Sequence, residues 1–425
     1  MLSLRELLWS ADPSPFGHAV RITGMRTVAP GLLAVAAATT ILASCALPGT
    51  STTSPSGSAV PTSTPSGSAS PTPTLAPTPT PNVCTNPSVL ATWSLTRLAE
   101  QTLVVPVDES NVAAVNAEIA AGAGGVILFG SSAPVNLGSS LHALSLSAPG
   151  GITPFVMTDE EGGVVQRMAN LVGSLPSARQ MASTMSAAQI RQLVTTMALR
   201  MHAAGITMDL APVLDLDNGV GPNNRDPDGT RSFSLNASVA AADGVAFLQG
   251  LEAGGVIPVV KHFPGLGQAS ANTDVSPATT QPWSVLQHAG LLPFQSAIAA
   301  GVPVVMIANA GVPGLTTLPA SISPAVMTTV LRRQLGFHGL VITDSLSAGA
   351  LVDIGYSVPR AVVASITAGA DMVLYTAASA QVGSLTASTA AALVAAVNAG
   401  TLPRSRLVSA VSNILTAKHV NLCAG

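Results

Sequence analysis

Short apolar segments alternate with helical patterns over most of the chain after residue 100. The helical patterns, such as residues 187–202 and 323–335, repeat apolar positions three and four residues apart and are closed by glycine. Eight apolar segments are rich in β-branched residues, and each predicts a strand: residues 102–107, 125–129, 154–157, 206–210, 256–260, 302–307, 340–342 and 372–375. Strands that alternate with helices are typical of a parallel sheet covered on both faces.

The number of these units indicates the fold. Eight strand and helix units in about 340 residues fit an α/β fold of the (β/α)8 TIM-barrel type, which we predict as a single catalytic domain over residues 84–425. A doubly wound open sheet is the alternative. Gly122, Gly124 and Gly125 precede a strand instead of following one, which is the wrong order for a dinucleotide-binding loop, and we predict no cofactor.

The first 44 residues have the pattern of a signal peptide. Arg21 and Arg26 precede an apolar stretch that is too short to span a bilayer, and Leu-Ala-Ser comes directly before Cys45. This pattern resembles the bacterial lipoprotein signal, in which cleavage leaves the cysteine as a lipid-carrying N-terminus. A plain secretory signal with a chance cysteine is the alternative. The residues before Met25 fit neither pattern, so Met25 is a second candidate for the start of translation.

Residues 45–83 predict a disordered tether. They are mostly Ser, Thr, Pro, Gly and Ala, and no charged residue lies between Arg26 and Arg97. Such a segment cannot bury enough apolar surface to fold. We therefore expect an exported protein that is lipid-anchored on the outer face of the cytoplasmic membrane. In that setting Cys84 and Cys423 predict one disulfide joining the ends of the folded domain, with two unpaired thiols as the alternative.

The charge composition argues against a nucleic-acid partner. Charged residues make up 9% of the chain, the formal net charge is −3, and Lys261 and Lys418 are the two lysines. Proteins that bind nucleic acid through a basic surface carry clusters of lysine and arginine. We therefore predict no nucleic-acid partner, and we expect a monomer.

Acidic and polar side chains are concentrated directly after five successive predicted strands. The five segments are residues 158–167, 211–217, 261–267, 308–309 and 343–347. In a barrel the carboxyl ends of all strands meet at one face, where active sites are built. These side chains therefore predict a shared site. A carboxylate there can attack an electrophilic carbon, and retaining glycoside hydrolysis needs such a nucleophile with a proton donor about 5 Å away.

The acidic stretch after the fourth predicted strand is the candidate for a metal site. It contains Asp215, Asp217, Asp226 and Asp228 but lacks the glutamate and the spacing of a calcium loop. We therefore predict no metal and interpret the stretch as a turn-rich acidic loop, with calcium binding as the alternative.

Five motifs resemble glycoside hydrolase family 3, and within it the single-domain β-N-acetylglucosaminidases. The motifs are residues 159–167, 211–216, 231–233, 261–267 and 343–347. The resemblance implies a barrel and retaining hydrolysis of terminal β-linked N-acetylglucosamine, typically from peptidoglycan fragments. It implies that Asp344 is the nucleophile. It also implies a set of residues that bind the sugar hydroxyls: Asp159, Arg167, Arg231, Lys261 and His262.

Each of these residues also has a structural interpretation. Asp344 could cap a helix after the seventh strand, because serines lie beside it. Arg231 and Lys261 could pair with neighbouring acids, and His262 could be a buried, hydrogen-bonded histidine. Four acids are interpreted as supports of turns and loops: Glu160, Glu161, Asp215 and Asp217.

The chain departs from the family pattern at the proton donor. The family places a histidine where this chain has Leu266, and then an Asp-Ser-His whose aspartate and histidine shuttle the proton. Residues 274–276 read Asp-Val-Ser, so Asp274 is present but Ser276 stands at the histidine position. A serine hydroxyl cannot replace a group that titrates near neutrality.

Three explanations of this departure follow from the sequence. Asp274 is itself the acid and base, with a pKa raised by burial. Alternatively the substrate's acetamido group, a water or another side chain supplies the proton. In the third explanation turnover is lost and the chain is a sugar-binding lipoprotein.

Two further expectations concern the substrate. Larger relatives take an acid/base glutamate from a second domain, and no residues remain here to build one, which favours a hexosaminidase over a broader β-glycosidase. Trp93 and Trp283 are the two tryptophans within the predicted domain, and two are few for stacking against sugars along a long glycan-binding cleft. We therefore predict an exo-acting enzyme.

Overall fold

The computed structural model describes residues 84–424. The predicted signal peptide, the lipid-carrying Cys45 and the tether fall outside the described residues. The barrel prediction falls within them and is tested below.

Eight parallel strands form the central sheet. Neighbouring strands follow the order β10-β1-β2-β3-β6-β7-β8-β9, and a bridge between Ile342 and Met372 joins the two ends, so the sheet closes into a barrel. The strands are β1 Leu103–Asp108, β2 Gly125–Phe129, β3 Phe155–Thr158, β4 Glu160–Gly162, β5 Val165–Gln166, β6 Met208–Asp209, β7 Ile257–Phe263, β8 Val304–Ile307, β9 Leu340–Thr343 and β10 Val373–Leu374. β4 and β5 form a separate antiparallel hairpin. The predicted barrel is confirmed, and the open sheet is excluded.

The largest difference from the predicted strands lies in β7. The sequence predicts a strand that ends at residue 260, whereas β7 continues through Lys261 and His262 to Phe263. The extension occurs because Lys261 pairs with Val213 in an isolated bridge, and Phe263 pairs with Ile307 of β8 after a shift of register. Lys261 and His262, which the sequence pattern places in a loop, therefore belong to a strand.

Helices surround the barrel. Two of the longest begin at clear capping signals: Ser186 and Gln189 form a capping box before α7, and Asn236 caps α8. The α-helices are α1 Asn86–Leu90, α2 Leu95–Gln101, α3 Asn116–Ala121, α4 Leu137–Ser145, α5 Ala169–Val172, α6 Ala178–Thr184, α7 Ala187–Ala203, α8 Ala237–Ala253, α9 Trp283–Val285, α10 Leu291–Ala299, α11 Gly349–Val352, α12 Val358–Ala368, α13 Val382–Asn398 and α14 Arg404–Ala417. The helix predicted over residues 323–335 is a π-helix, Ala325–Gln334, that starts after Pro324.

The barrel interior is apolar and filled. One buried cluster draws a side chain from every barrel strand: Val104, Ile127, Met157, Met208, Val259, Met306, Ile342 and Leu374. Alternate residues of the same strands, such as Val105 and Val305, pack in other clusters with the surrounding helices. The barrel is therefore a solid support, and site residues are expected at the ends of its strands and in the loops that follow them.

One helical segment, Ser379–Asn398, is apolar and long enough to cross a bilayer by length and composition. Its residues Val382 and Leu393 are buried in the clusters that cover the barrel, and α13 contacts α2, α12 and β1. A core helix satisfies the same criterion, so this segment is weak support for a membrane span.

The two ends of the described chain are tied together. A disulfide joins Cys84 and Cys423, which are 339 residues apart. Beside it, the Asn86 side-chain amide donates to the carbonyl oxygen of Val420 at 2.8 Å and its oxygen accepts from the Leu422 N–H at 2.7 Å. The start of α1 is therefore tied to the segment that follows α14 by covalent and hydrogen-bonded contacts.

Reduction of this disulfide is expected to lower the free energy of unfolding by about 2–4 kcal/mol, because the cross-link restricts the unfolded chain. Urea unfolding of the protein with and without a reductant measures this difference. A Cys84→Ser variant is the control, since reductant should not move its midpoint. Equal midpoints for the oxidised and reduced wild type would contradict the prediction.

Candidate active site

The polar residues that follow the strands meet at the carboxyl end of the barrel. The first contact is an ion pair between Lys261 of β7 and Asp159, which directly follows β3: Nζ lies 2.8 Å from Oδ1. Arg167 approaches the other oxygen of Asp159 at 3.8 Å. Residues 102 positions apart in the chain therefore share one site, as the strand-end pattern predicts.

Asp344 is held firmly at the end of β9. Its backbone N–H donates to the carbonyl of Ile307 at 3.0 Å, and its side-chain Oδ1 accepts from the N–H of Ser345 at 2.6 Å. The Asn309 amide donates to the carbonyl of Ser345 at 2.7 Å, and the Ser321 hydroxyl donates to Asn309 Oδ1 at 2.6 Å. Asn309, at the end of β8, therefore fixes the main chain beside the carboxylate.

Lys261 is buried and fully charged. Its Nζ lies 2.8 Å from Asp159 Oδ1 and 2.5 Å from Glu161 Oε1, and the side chain is 3% exposed. Burial opposes the charge, but the two carboxylates outweigh it and raise the pKa of Lys261 above its usual value. The ammonium group is thus a fixed positive charge next to Asp159.

Arg231 reaches the site through Glu161. Its Nε and Nη2 each donate to one oxygen of Glu161 at 2.8 Å, and its Nη1 donates to the carbonyl of Pro227 at 2.9 Å. Burial alone would raise the pKa of Glu161, but the charges of Arg231 and Lys261 hold it well below its usual range. Glu161 therefore links the two cations, and Arg231 has a protein partner at every nitrogen.

The β4–β5 hairpin presents Arg167. Glu160 is fully buried, and its Oε1 accepts from the backbone N–H groups of Arg167 and Met168 at 2.6 and 2.8 Å. The turn needs glycine, because Gly162 has a φ of 98° and a Cβ there would lie 2.3 Å from the carbonyl oxygen of Pro176. The Arg167 side chain keeps 32% of its surface exposed, so part of its guanidinium group is accessible to a ligand although Nε is buried.

His262 is oriented by Asp215. Its Nδ1 lies 2.7 Å from Asp215 Oδ2, which also accepts from the His262 backbone N–H at 3.0 Å, and Asp215 Oδ1 accepts from the Leu266 N–H at 2.6 Å. Burial lowers the pKa of His262 to about 4, and the charge of Arg231 adds to this, so the ring is neutral at neutral pH. This network assigns the ring proton to Nδ1, where it donates to Asp215.

Asp274 lies on the loop that follows β7 and is exposed to solvent. The loop is pinned beside the Asp344 segment, because Gly349 and Ala350 donate backbone hydrogen bonds to the carbonyls of Asp274 and Thr273 at 3.0 and 2.9 Å. A Cβ at Gly349 would lie 2.4 Å from the carbonyl oxygen of Val275, so only glycine allows this approach.

The charge of Asp274 acts on the carboxyl group of Asp344. Burial raises the pKa of Asp344, and the charge of Asp274 raises it further. Partial desolvation by the surrounding loops raises the pKa of Asp274, even though the residue retains solvent contact. Two carboxyl groups so placed do not both ionise readily.

Arg179 of α6 is a supporting residue that the sequence pattern does not reveal. Its Nη2 donates to the carbonyls of Asp217 and Gly229 at 2.6 and 2.9 Å, and its Nε donates to the carbonyl of Ser232 at 3.3 Å. These bonds hold the loop that carries Arg231. Because the partners are main-chain oxygens, no residue type in the loop could indicate them.

The structure thus brings all seven predicted site residues to one end of the barrel. Asp159, Arg167, Lys261 and Arg231 form one ionic network with Glu161, whereas Asp344, Asp274 and His262 share an electrostatic environment beside it. Fixed cations, a neutral histidine and two interacting carboxyl groups can bind a polyhydroxylated ligand and transfer a proton and a glycosyl group.

Comparison with known proteins supports this interpretation. Residues 100–417 match the family model described as the glycosyl hydrolase family 3 N terminal domain. The chain is 34% identical over 308 residues to the beta-hexosaminidase LpqI of Mycobacterium tuberculosis, which covers 70% of this chain and 76% of the relative.

Solved structures agree with the sequence comparison. M. tuberculosis LpqI superposes with a TM-score of 0.71 at 32% identity and covers 79% of this chain and 96% of that one. The beta-N-acetylhexosaminidase from Beutenbergia cavernae gives a TM-score of 0.70 at 30% identity and covers 78% of this chain and 100% of that one. The resemblance seen in the motifs is confirmed: the chain belongs to glycosyl hydrolase family 3.

Proposed function

We propose that this glycoside hydrolase is a retaining exo-β-N-acetylglucosaminidase that releases terminal β-linked N-acetylglucosamine from peptidoglycan fragments or related glycans. The relatives named as β-hexosaminidases support the sugar specificity. The observation that carries the mechanism is the pair of interacting carboxyl groups, Asp344 at the end of β9 and Asp274 on the loop pinned beside it.

In the first step an oxygen of Asp344 bonds to the anomeric carbon as the glycosidic C–O bond breaks. The departing oxygen takes a proton from the acid, and a covalent glycosyl-enzyme is formed. In the second step the deprotonated acid removes a proton from water, whose oxygen attacks the same carbon and releases Asp344. Two displacements at one carbon retain its configuration.

The proposed reaction starts with Asp344 ionised and Asp274 protonated. The Ser345 N–H donates to Asp344 Oδ1 at 2.6 Å, and a hydrogen bond from a donor stabilises the charged form of a carboxyl group. Burial raises the pKa of Asp274, the charges of Arg231 and Lys261 oppose this shift, and no side-chain or backbone donor among residues 84–424 bonds to its carboxyl group. Asp274 is therefore our candidate acid and base in the absence of a histidine at Ser276.

We propose that the sugar hydroxyls bind to Asp159, Arg167, Lys261 and His262. Arg167 has accessible donors, and Asp159 and Lys261 are held by one another at 2.8 Å, so they offer an acceptor and a donor in a fixed relation. Arg231 is assigned a positioning role, because Glu161 occupies two of its nitrogens.

The exo-acting character rests on the scarcity of aromatic surface. Trp93 is 8% exposed and lies under the Arg97 guanidinium at 3.5 Å, so its ring is not offered to a glycan. A product profile with internal cuts would contradict the exo assignment.

The Asp274→Asn variant is expected to lose about 10²–10⁴-fold in kcat/KM on chitobiose, because the departing sugar oxygen then lacks a proton donor. An aryl glycoside with a leaving group of low pKa needs little protonation and should keep a kcat/KM close to that of the wild type, whereas its kcat falls because the second step lacks the base. Steady-state kinetics on both substrates provides the check. Asp353→Asn, an exposed aspartate, is the matched control. An equal loss on both substrates, or no loss on either, would contradict this role.

A second candidate function is sugar binding without turnover, and the serine at position 276 is the observation that favours it. It predicts that the wild type binds N-acetylglucosamine in calorimetry but cleaves neither substrate. Cleavage of the aryl glycoside alone would indicate a hydrolase with weakened proton transfer.

We further propose that the protein is exported and carries a lipid on Cys45. Leu-Ala-Ser before Cys45 and the uncharged stretch that follows support this placement. A location outside the cytoplasm fits the action on wall fragments.

A further inference from the structure

Asp228 is a buried carboxylate that the proposed reaction does not use. It is 0% exposed, and neither of its oxygens has a hydrogen-bond partner within residues 84–424. Burial raises the pKa of Asp228 well above its usual value, so the charged form is costly unless a cation or a donor is present. The cation that the structure places closest is Arg231 Nη1, at 3.7 Å from Oδ1.

Arg231 is a poor partner for Asp228. Its Nε and Nη2 bind both oxygens of Glu161 at 2.8 Å, and its Nη1 donates to Pro227 at 2.9 Å. One guanidinium charge is thus directed to Glu161, while Asp228 lies beyond hydrogen-bond distance.

Two further donor groups surround Asp228. Asp215, His262 and Asp228 each offer a ligand atom, and these atoms all lie within 4.8 Å of one another. All three residues are buried, at 1%, 4% and 0% exposure. Carboxyl groups outnumber cations at this end of the barrel, and burial raises the pKa of several of the acids. The acids are Asp159, Glu160, Glu161, Asp209, Asp215, Asp217, Asp228, Asp274 and Asp344, and the cations are Arg167, Arg179, Arg231 and Lys261.

We propose that Asp215, Asp228 and His262 bind one divalent transition-metal ion of the zinc class. Two carboxylate oxygens and one imidazole nitrogen are ligands that zinc accepts in a tetrahedral arrangement, with a water at the fourth position. Calcium and magnesium prefer oxygen ligands alone, so the imidazole disfavours them. Coordination replaces the hydrogen bond between His262 Nδ1 and Asp215, and the ring then carries its proton on Nε2.

The ion would join three separate segments. Asp215 follows β6, His262 lies in β7, and Asp228 lies three residues before Arg231. Binding should therefore stabilise the loop that carries Arg231. The spacing of the acids along the chain predicts no calcium loop, and it could not reveal this group, because His262 comes from a different strand.

The test uses the full chain without a histidine tag, after treatment with a chelator. Calorimetry with Zn²⁺ is expected to show one site, and the melting temperature should rise with Zn²⁺ but not with Mg²⁺ or Ca²⁺. Asp228→Asn should abolish this site. Asp243→Asn is the matched control, since Asp243 is another buried aspartate, on α8 and outside the group.

Three results would overturn the proposal: no Zn²⁺ binding by the wild type, unchanged binding by Asp228→Asn, or an equal response to Mg²⁺. Should Asp228→Asn fail to fold, the visible spectrum of the Co²⁺-loaded wild type decides. A tetrahedral spectrum supports the site, and an octahedral aqua spectrum contradicts it. Each measurement is independent of glycoside turnover, so its failure leaves the proposed function untouched.

Discussion

The Asp344→Asn variant is expected to lose about 10⁴–10⁶-fold in kcat/KM on the aryl glycoside and on chitobiose alike. An amide oxygen is too weak a nucleophile to displace the glycosidic oxygen, so the covalent intermediate does not form on either substrate. Substitution at Asp274 should instead lower kcat/KM on chitobiose far more than on the aryl glycoside. The contrast between the variants distinguishes the nucleophile from the proton donor.

Loss of activity in Asp344→Asn should not reflect loss of the fold. Asparagine keeps the oxygen that accepts from Ser345, and the bond between Asn309 and Ser345 is untouched. Calorimetry should therefore show that the variant still binds N-acetylglucosamine, with Asp353→Asn again as the control. Retention of more than a tenth of wild-type turnover would contradict the assignment of Asp344.

The Glu161→Gln variant is expected to lower the free energy of unfolding by about 3–5 kcal/mol, since it leaves buried cations without their counter-ion. Glutamine keeps one acceptor oxygen but no negative charge, so Arg231 loses one of its two bonds at 2.8 Å together with its counter-ion, and Lys261 keeps Asp159 as its ion-pair partner. Urea unfolding at neutral pH measures the difference. Glu252→Gln is the control, because Glu252 is exposed on α8 and should change stability by less than about 0.5 kcal/mol.

The same variant has a predicted pH dependence. The folded protein holds the pKa of Glu161 below its usual value of 4.5. A depressed pKa means that the carboxylate contributes its stability above the unfolded pKa and loses it as the pH falls through the folded one. The difference between wild type and Glu161→Gln should be constant at neutral pH, begin to shrink as the pH falls below the unfolded pKa of about 4.5, and continue to shrink down to the folded pKa. A difference below about 1 kcal/mol at neutral pH would contradict the role of Glu161.

The barrel could be predicted from sequence because its strands are buried on both faces and the helices between them are amphipathic. The site face could be predicted for a related reason: in a chain with 9% charged residues, acids and bases after successive strands are conspicuous. The expected convergence of Asp159 and Lys261 appears as a 2.8 Å ion pair.

The role of Glu161 could not be predicted because two adjacent glutamates look alike in sequence. They lie in β4, where successive side chains point to opposite faces. Glu160 turns to the backbone of Arg167, whereas Glu161 turns to Arg231 and Lys261. Asp215 was interpreted as a loop-ordering residue, and it does bond to the Leu266 N–H, but it also orients the His262 ring.

Covalent trapping on Asp344 tests the central claim most directly. A slowly turned-over fluorinated N-acetylglucosaminide is incubated with the wild type, and the peptides are analysed by mass spectrometry. We predict that one sugar residue is added, that its position is Asp344, and that Asp344→Asn shows no adduct. Continued turnover of the substrate with no sugar attached to Asp344, or with the sugar on another residue, would contradict the account.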